Sequence, residues 1–223
     1  MSEVDIRDLI PKDVIVASKL HVAVLGEEFI SRAGIEFMSR YYNAWIKSDF
    51  GVAVGAFNEG KLVGVLLGTT DPGSHYKSMV KTSGLNLIVG LVVSCIKKSD
   101  FRKELVRTRL VRYTRGVAKL LYGRLRRHEN YPIENEKIER VGELTHVFVD
   151  SESQAKGIGT QLVKKMIDRC ERENIDTLTL VTPPESSARI LYTKLGFKEV
   201  GGKTSSSNET YLKMEYSLAK SAS

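Results

Sequence analysis

Gln154-Ala155-Lys156-Gly157-Ile158-Gly159 lies between two segments of opposite periodicity. Before it, residues 142–149 (Gly-Glu-Leu-Thr-His-Val-Phe-Val) read as a β-strand. After it, Ile158, Leu162, Val163, Met166, Ile167 and Cys170 recur at helical spacing, which predicts an amphipathic helix over 157–173. Glycines at a strand-to-helix turn let backbone approach an anion closely. The free N–H groups and the dipole of the helix start then favour a phosphate. The turn is not a dinucleotide fingerprint, because no third glycine follows at the required place.

The same alternation of strands and helices extends outward. Residues 176–182 are a β-rich run. Pro183-Pro184 then opens a short helix from Glu185 to Leu195, closed by Gly196. Final strands are expected at 197–201 and 209–217, around a Gly/Ser-rich loop. Toward the N-terminus, residues 3–9 suit a first strand, and Pro11 and Asp13 open a helix to about Leu25. A second helix is expected from Phe29 to Trp45, carrying Phe37, Met38, Tyr41, Tyr42 and Trp45 on its apolar side. Asn58-Glu59-Gly60 joins two apolar runs, 51–57 and 61–69, as a hairpin.

Residues 74–130 interrupt this order and read as a helical insertion, with helices near 78–97 and 100–127. The chain as a whole carries 34 Lys or Arg against 27 Asp or Glu, a formal charge of +7. From Lys97 to Arg127 there are twelve Lys or Arg and two acids, a local charge of +10. The remainder is therefore slightly acidic, and the basicity is a patch. Composition of 42% hydrophobic and 27% charged residues is that of a globular chain and excludes a disordered or fibrous one. A single domain spanning 1–223, with 74–130 inserted in it, accounts for the length.

Cys95 and Cys170 form no CxxC, and His21, His75, His128 and His146 lack metal-ligand spacing, so no metal is expected. The acidic N-terminus has no apolar run of the kind a signal peptide needs. The most apolar stretch, Gly84 to Ile96, has thirteen residues, short of the ~20 that a membrane span requires. A cytoplasmic location follows as the expectation.

Gln154-x-x-Gly157-x-Gly159 after a strand is followed some 30 residues later by Ala188-x-x-Leu191-Tyr192-x-Lys194-x-Gly196-Phe197. The two motifs, in this order, closely resemble the GNAT superfamily of acyl-CoA-dependent N-acyltransferases. The resemblance is carried by residues 142–200; the hairpin and N-terminal helices agree more loosely, and the insertion matches nothing in it. It implies an α/β (α+β) fold with a mixed, partly splayed central sheet flanked by helices. It also implies acetyl-CoA as co-substrate and no metal. The pantetheine arm would lie between strands 142–149 and 176–182, paired with backbone at Val147, Phe148 and Val149. The amides of Ala155, Lys156, Gly157, Ile158, Gly159 and Thr160, with Gln154 beside them, would hold the pyrophosphate. The family often places Asn three residues before the alanine of the second motif; here that residue is Glu185, so an amide contact to the cofactor arm is not carried over.

Glu143 stands where the resemblance implies a general base. An alkylammonium with a pKa near 10.4 must lose a proton before attacking a thioester, and a carboxylate can take it. The alternative is a salt-bridged Glu at a strand start. Strand alternation puts Glu143, Thr145, Val147 and Val149 on one face and His146 on the other, as a packed histidine. Tyr192 aligns with the family's tyrosine near the thioester sulfur and would protonate the departing thiolate; the alternative is packing beside Leu191 and Phe197. No cysteine lies where a nucleophile would be needed, so the amine attacks directly.

The reading is an N-acetyltransferase acting on a primary amine, the acceptor being a small molecule such as an amino sugar. Protein lysine or N-terminal acetylation, and a non-catalytic acyl-CoA-binding module, are the alternatives. The basic segment 97–127 serves as a solvated helix face, as a contact for an anionic ligand, or as a peripheral membrane contact. Nucleic acid is not expected, since no binding motif accompanies the charge. A homodimer is left open.

Overall fold

The structure is a computed structural model and describes residues 4–106, 139–204 and 210–218. A seven-stranded sheet runs through it in the order β1-β2-β3-β4-β5-β7-β6. Its strands are β1 (Val4–Asp8), β2 (Gly51–Asn58), β3 (Lys61–Thr69), β4 (Val141–Val149), β5 (Thr177–Thr182), β6 (Lys198–Thr204) and β7 (Thr210–Ser217). Every neighbouring pair is antiparallel except β4 and β5. That parallel pair requires a crossover, supplied by the helix after the glycine turn. The fold is the mixed, helix-flanked sheet expected from the sequence.

Six helices cover the two faces among the described residues: α1 (Val14–Val24), α2 (Phe29–Arg32), α3 (Ile35–Ile46), α4 (Pro72–Lys97), α5 (Ser99–Glu104), α6 (Ile158–Arg172), with a seventh, α7 (Ser187–Lys194), toward the C-terminus. On one face, Leu162, Val163, Met166 and Cys170 of α6 are fully buried against Val54, Leu66, Leu178 and Met214. On the other face, α1 and α3 bury Ala17, Met38, Tyr42 and Trp45 against Val65, Leu67 and Phe148. Each large side chain so removed from water contributes about 1.5–3 kcal/mol. These two apolar layers fix which way each strand residue must point.

Local boundaries differ from the sequence expectation where a particular residue decides them. The helix expected over 29–45 is broken into α2 and α3 at Gly34, whose φ of +97° suits glycine and no residue with a side chain. The expected first helix begins as a 3-10 turn, Pro11–Asp13, with the Asp13 carboxylate accepting from Ile10 N–H and from Arg7. Helix α4 starts at Pro72, six residues earlier than expected, because the Asp71 carboxylate caps Ser74 N–H at 2.9 Å. The remainder of the expected second insertion helix, 107–127, and the Gly/Ser loop at 205–209 lie outside the described residues.

The 26 residues of α4 are long and apolar enough to cross a membrane, by length and composition only. The helix nonetheless lies along α3, burying His75, Met79, Ser83, Gly90 and Ser94. Its opposite face carries Lys77, Lys81, Leu85, Ile88, Val92 and Ile96 at spacings of three and four, all exposed.

Candidate active site

β4 and β5 are paired only from Val141↔Thr177 to Leu144↔Leu180. Beyond that point β5 continues in register with β7 as far as Thr182↔Leu212, while β4 continues with β3 as far as Val149↔Gly64. The two central strands therefore part, and among the described residues the β4 segment 145–149 has a β-strand neighbour on one side only. Val147, Phe148 and Val149 lie along this opening. An extended ligand with amide groups can pair there as a strand would.

The parting begins at a bulge. Leu67 pairs with His146 and Gly68 with Leu144, so Thr145 has no counterpart on β3. An inserted residue reverses the alternation of side chains beyond it. Leu144 and, past the bulge, Val147 and Val149 pack on the α6 side. Phe148 packs on the α1/α3 side. The ring of His146 lies 5.2 Å from that of His21 on α1. The Glu143 charge is felt by Tyr41 and Tyr76 on α3 and α4. Glu143 and His146 thus face the same helical layer, and the alternation that separated them is corrected.

The glycine turn has the form its sequence implied. Gly157 adopts a left-handed conformation, φ +77°, as the N-cap of α6, and no side chain caps the helix start. A Cβ built on Gly157 would meet nothing within 4 Å, so the turn faces open space. Gln154, Ala155, Lys156 and Gly157 are exposed, and Gly159 and Thr160 are half-exposed. The Gln154 side chain donates to the Val149 carbonyl at 3.1 Å, and the Lys156 ammonium donates to the Glu152 carbonyl at 2.8 Å. These bonds tie the turn to the end of β4. The uncapped amides of the α6 start give the site a positive end suited to an anion. Ile158 instead turns its side chain into the core.

The second motif closes on the first. A Cβ at Gly159 would stand 3.4 Å from Leu191 of α7, so the two helix starts are in contact. Tyr192 is buried, 5.6 Å from the Phe197 ring, and burial pushes its phenol up to about 12. It therefore keeps its proton across the physiological range. Both readings of Tyr192, acid and packing residue, remain compatible with this position.

A cluster that the sequence reading missed lies beside Glu143. His21 of α1, Glu28 of the α1–α2 connection and His146 converge on one point. Glu28 Oε2 is 3.3 Å from His146 Nε2 and 3.9 Å from His21 Nε2. Burial pushes the Glu28 carboxyl up, but the neighbouring His146 and His21 imidazoles outweigh it and bring the group down to about 2. Burial lowers His21 below its usual range, with Glu28 opposing. No sequence motif signals this grouping, because its members are up to 125 positions apart and meet only through the bulge.

Residues 122–218 match the family model described as the acetyltransferase (GNAT) domain. Solved structures similar to the chain include the ribosomal-protein-S18-alanine N-acetyltransferase from Escherichia coli, at 13% identity and TM-score 0.55, covering 99% of this chain and 97% of that one. Another is yncA, a putative acetyltransferase from Salmonella typhimurium with its cofactor acetyl-CoA, at 13% identity and TM-score 0.56, covering 99% and 96%. A third is aminoglycoside 6'-acetyltransferase type Ii, at 14% identity and TM-score 0.57, covering 96% and 97%. No curated protein matches the chain. At these identities the structures speak for the fold, and the family model speaks for the domain. Residues 122–218 thus resemble a GNAT acetyltransferase domain, and the chain as a whole shares the fold of these acetyltransferases.

Proposed function

We propose that the protein moves an acetyl group from acetyl-CoA to a primary amine. The observation that carries this is the parting of β4 from β5 past Leu144 and Leu180, with the uncapped, left-handed turn at Gly157 at its end. A slot for an extended amide-bearing arm and a positive cradle for a pyrophosphate are thereby continuous. The pantetheine arm pairs with backbone at Val147, Phe148 and Val149, and the amides from Ala155 to Thr160 receive the pyrophosphate. Structures of relatives solved with acetyl-CoA or with CoA support the choice of donor.

The amine then attacks the thioester carbonyl directly. Glu143 takes the ammonium proton, directly or through a water, so that a neutral amine is available below its own pKa. The backbone near Val147 polarises the carbonyl as charge develops on its oxygen. As the C–N bond forms and the C–S bond breaks, the Tyr192 phenol gives its proton to the leaving thiolate. No covalent enzyme intermediate is involved. The acceptor is a small molecule such as an amino sugar, with a protein lysine or N-terminal amine as the second choice. Both kinds of acceptor occur among the similar structures, an aminoglycoside and a ribosomal-protein alanine.

The test is calorimetric titration with acetyl-CoA, followed by a panel of amines with free thiol as the readout. Micromolar binding with thiol release for at least one amine supports the reading. Binding with no turnover on amino sugars, lysine peptides or N-terminal peptides leaves an acyl-CoA-binding module instead. No heat with acetyl-CoA or longer acyl-CoAs overturns the reading.

A second proposal concerns α4. Its outer face sets Lys77 and Lys81 in line with exposed Leu85, Ile88, Val92 and Ile96, and Lys98, Arg102 and Lys103 follow, all exposed. Apolar side chains flanked by cations suit an anionic lipid surface, and the sequence from Lys97 to Arg127 adds a charge of +10. Co-sedimentation with phosphatidylserine-containing vesicles at low salt, weakened at high salt, is the expected result. Failure to bind at low salt, or self-association that masks this face, overturns it.

A further inference from the structure

His21, Glu28 and His146 each offer one ligand atom, and all three atoms lie within 4.8 Å of one another. We propose that they form a binding site for a single divalent transition-metal ion, zinc being the best chemical match. The site stands independently of the acyl-transfer reading. It departs from the sequence expectation that the chain holds no metal.

Three observations carry it. First, the spacing fits. Ligands at about 2.0–2.1 Å from a tetrahedral zinc ion are about 3.3 Å apart. Glu28 Oε2 is 3.3 Å from His146 Nε2 and 3.9 Å from His21 Nε2, and since no pair exceeds 4.8 Å, side-chain adjustments of up to about 1.5 Å close the set.

Second, a buried nitrogen is aimed into the cluster without a hydrogen-bond partner. His21 is fully buried, and its Nε2 makes no hydrogen bond among the described residues. At 3.9 Å, Glu28 is too far to supply one. An unpaired polar atom in the interior is costly, and a cation placed among the three groups would satisfy it. A plain Glu28–His146 ion pair would leave it unsatisfied.

Third, His21 has the outer contact of a metal-ligating histidine, whereas His146 Nδ1 is buried with no partner among the described residues. His21 Nδ1 lies 2.9 Å from the Tyr42 hydroxyl. When Nδ1–H donates to that oxygen, the Nε2 lone pair is left pointing at the cluster. Such a partner fixes both the tautomer and the ring orientation. The Phe148 ring, 4.8 Å from that of His21, walls the other side. Glu28 is exposed and His146 is 14% exposed, which leaves an entry path and room for a water as fourth ligand. Two imidazoles and one carboxylate favour zinc over calcium or magnesium, which prefer all-oxygen sets.

The full-length protein, stripped with EDTA and dialysed, would be titrated with Co(II) and followed by its visible absorption. Zinc affinity would be read by competition with a chromophoric chelator. The expected result is one equivalent bound, with an intense tetrahedral-type Co(II) spectrum that zinc abolishes. Glu28→Gln and His146→Ala, at partly exposed positions, should each weaken zinc binding by at least about tenfold. Tyr42→Phe should weaken it less. Thermal melts of the metal-free variants would verify that they are folded, and zinc should raise the melting temperature of wild type alone. Absence of stoichiometric binding, or binding unchanged in both ligand variants, overturns the site. These readouts do not involve acetyl transfer, so failure here and failure of the proposed function are distinguishable.

Discussion

Glu143 and His146 face the same layer of helices although they are three residues apart on one strand. In a regular strand an odd separation places two side chains on opposite faces. Thr145, unmatched on β3, removes that opposition. The bulge marks the place where β4 leaves β5, and it gathers a carboxylate, an imidazole and the backbone of the slot at one point. The candidate base Glu143 and the His21–Glu28–His146 cluster therefore lie on the same side of the sheet.

Glu143→Gln should lower kcat by about 10²–10⁴-fold if the carboxylate takes the amine proton. The loss should be greatest at low pH, where more of the amine is protonated. The acetyl-CoA dissociation constant should stay within about twofold, because Glu143 lies on the face opposite Val147 and Val149. Steady-state kinetics beside calorimetry reads both quantities. An unchanged kcat would take Glu143 out of the mechanism.

Gly157→Trp should abolish acetyl-CoA binding while leaving the protein folded. The position faces open space, so the indole displaces ligand and not core. A side chain at φ +77° costs about 1–2 kcal/mol. Gly157→Ala should carry that conformational cost with a smaller loss of affinity. Urea melts and calorimetry on the two variants check the order.

His75 should make the protein acid-sensitive. It is fully buried beside Trp45, with Nδ1 2.8 Å from the Ser48 hydroxyl. Burial holds its imidazole down to about 4, from an ordinary 6.5. The unfolded chain takes up this proton as pH falls through 6.5, whereas the folded chain resists until about 4. The contribution is thus complete above the upper value and is lost progressively toward the lower one, by about 3 kcal/mol in all. Urea denaturation at pH 7 and pH 4.5 should show the loss in wild type and a smaller one in His75→Gln. Equal losses would remove His75 as a source.

The two thiols should differ in reactivity. Cys170 is buried in the core under α6, and burial pushes its thiol up to about 12. Cys95 is half-exposed on α4. Native protein treated with iodoacetamide at pH 8 should take one label, at Cys95, and a second only in denaturant. Rapid native labelling of Cys170 would show that α6 opens from the sheet.

The sequence by itself determined most secondary elements, the glycine turn before α6 and the resemblance to the GNAT superfamily. These depend on local order: the period of Ile158 to Cys170, the glycine that a left-handed cap requires, and the short run from Ala188 to Phe197. Where one residue sets a boundary, as Gly34 and Asp71 do, the signal was present but carried no weight until neighbours were placed. Only the tertiary structure decided which residues share the site. The bulge at Thr145 arises from the register of β4 against β3, which no pattern within β4 reveals. The meeting of His21, Glu28 and His146 depends on that bulge and on the packing of α1 over the sheet. Spacing along the chain cannot report it, because the distance between side chains is set by strand pairing and burial, not by position in sequence.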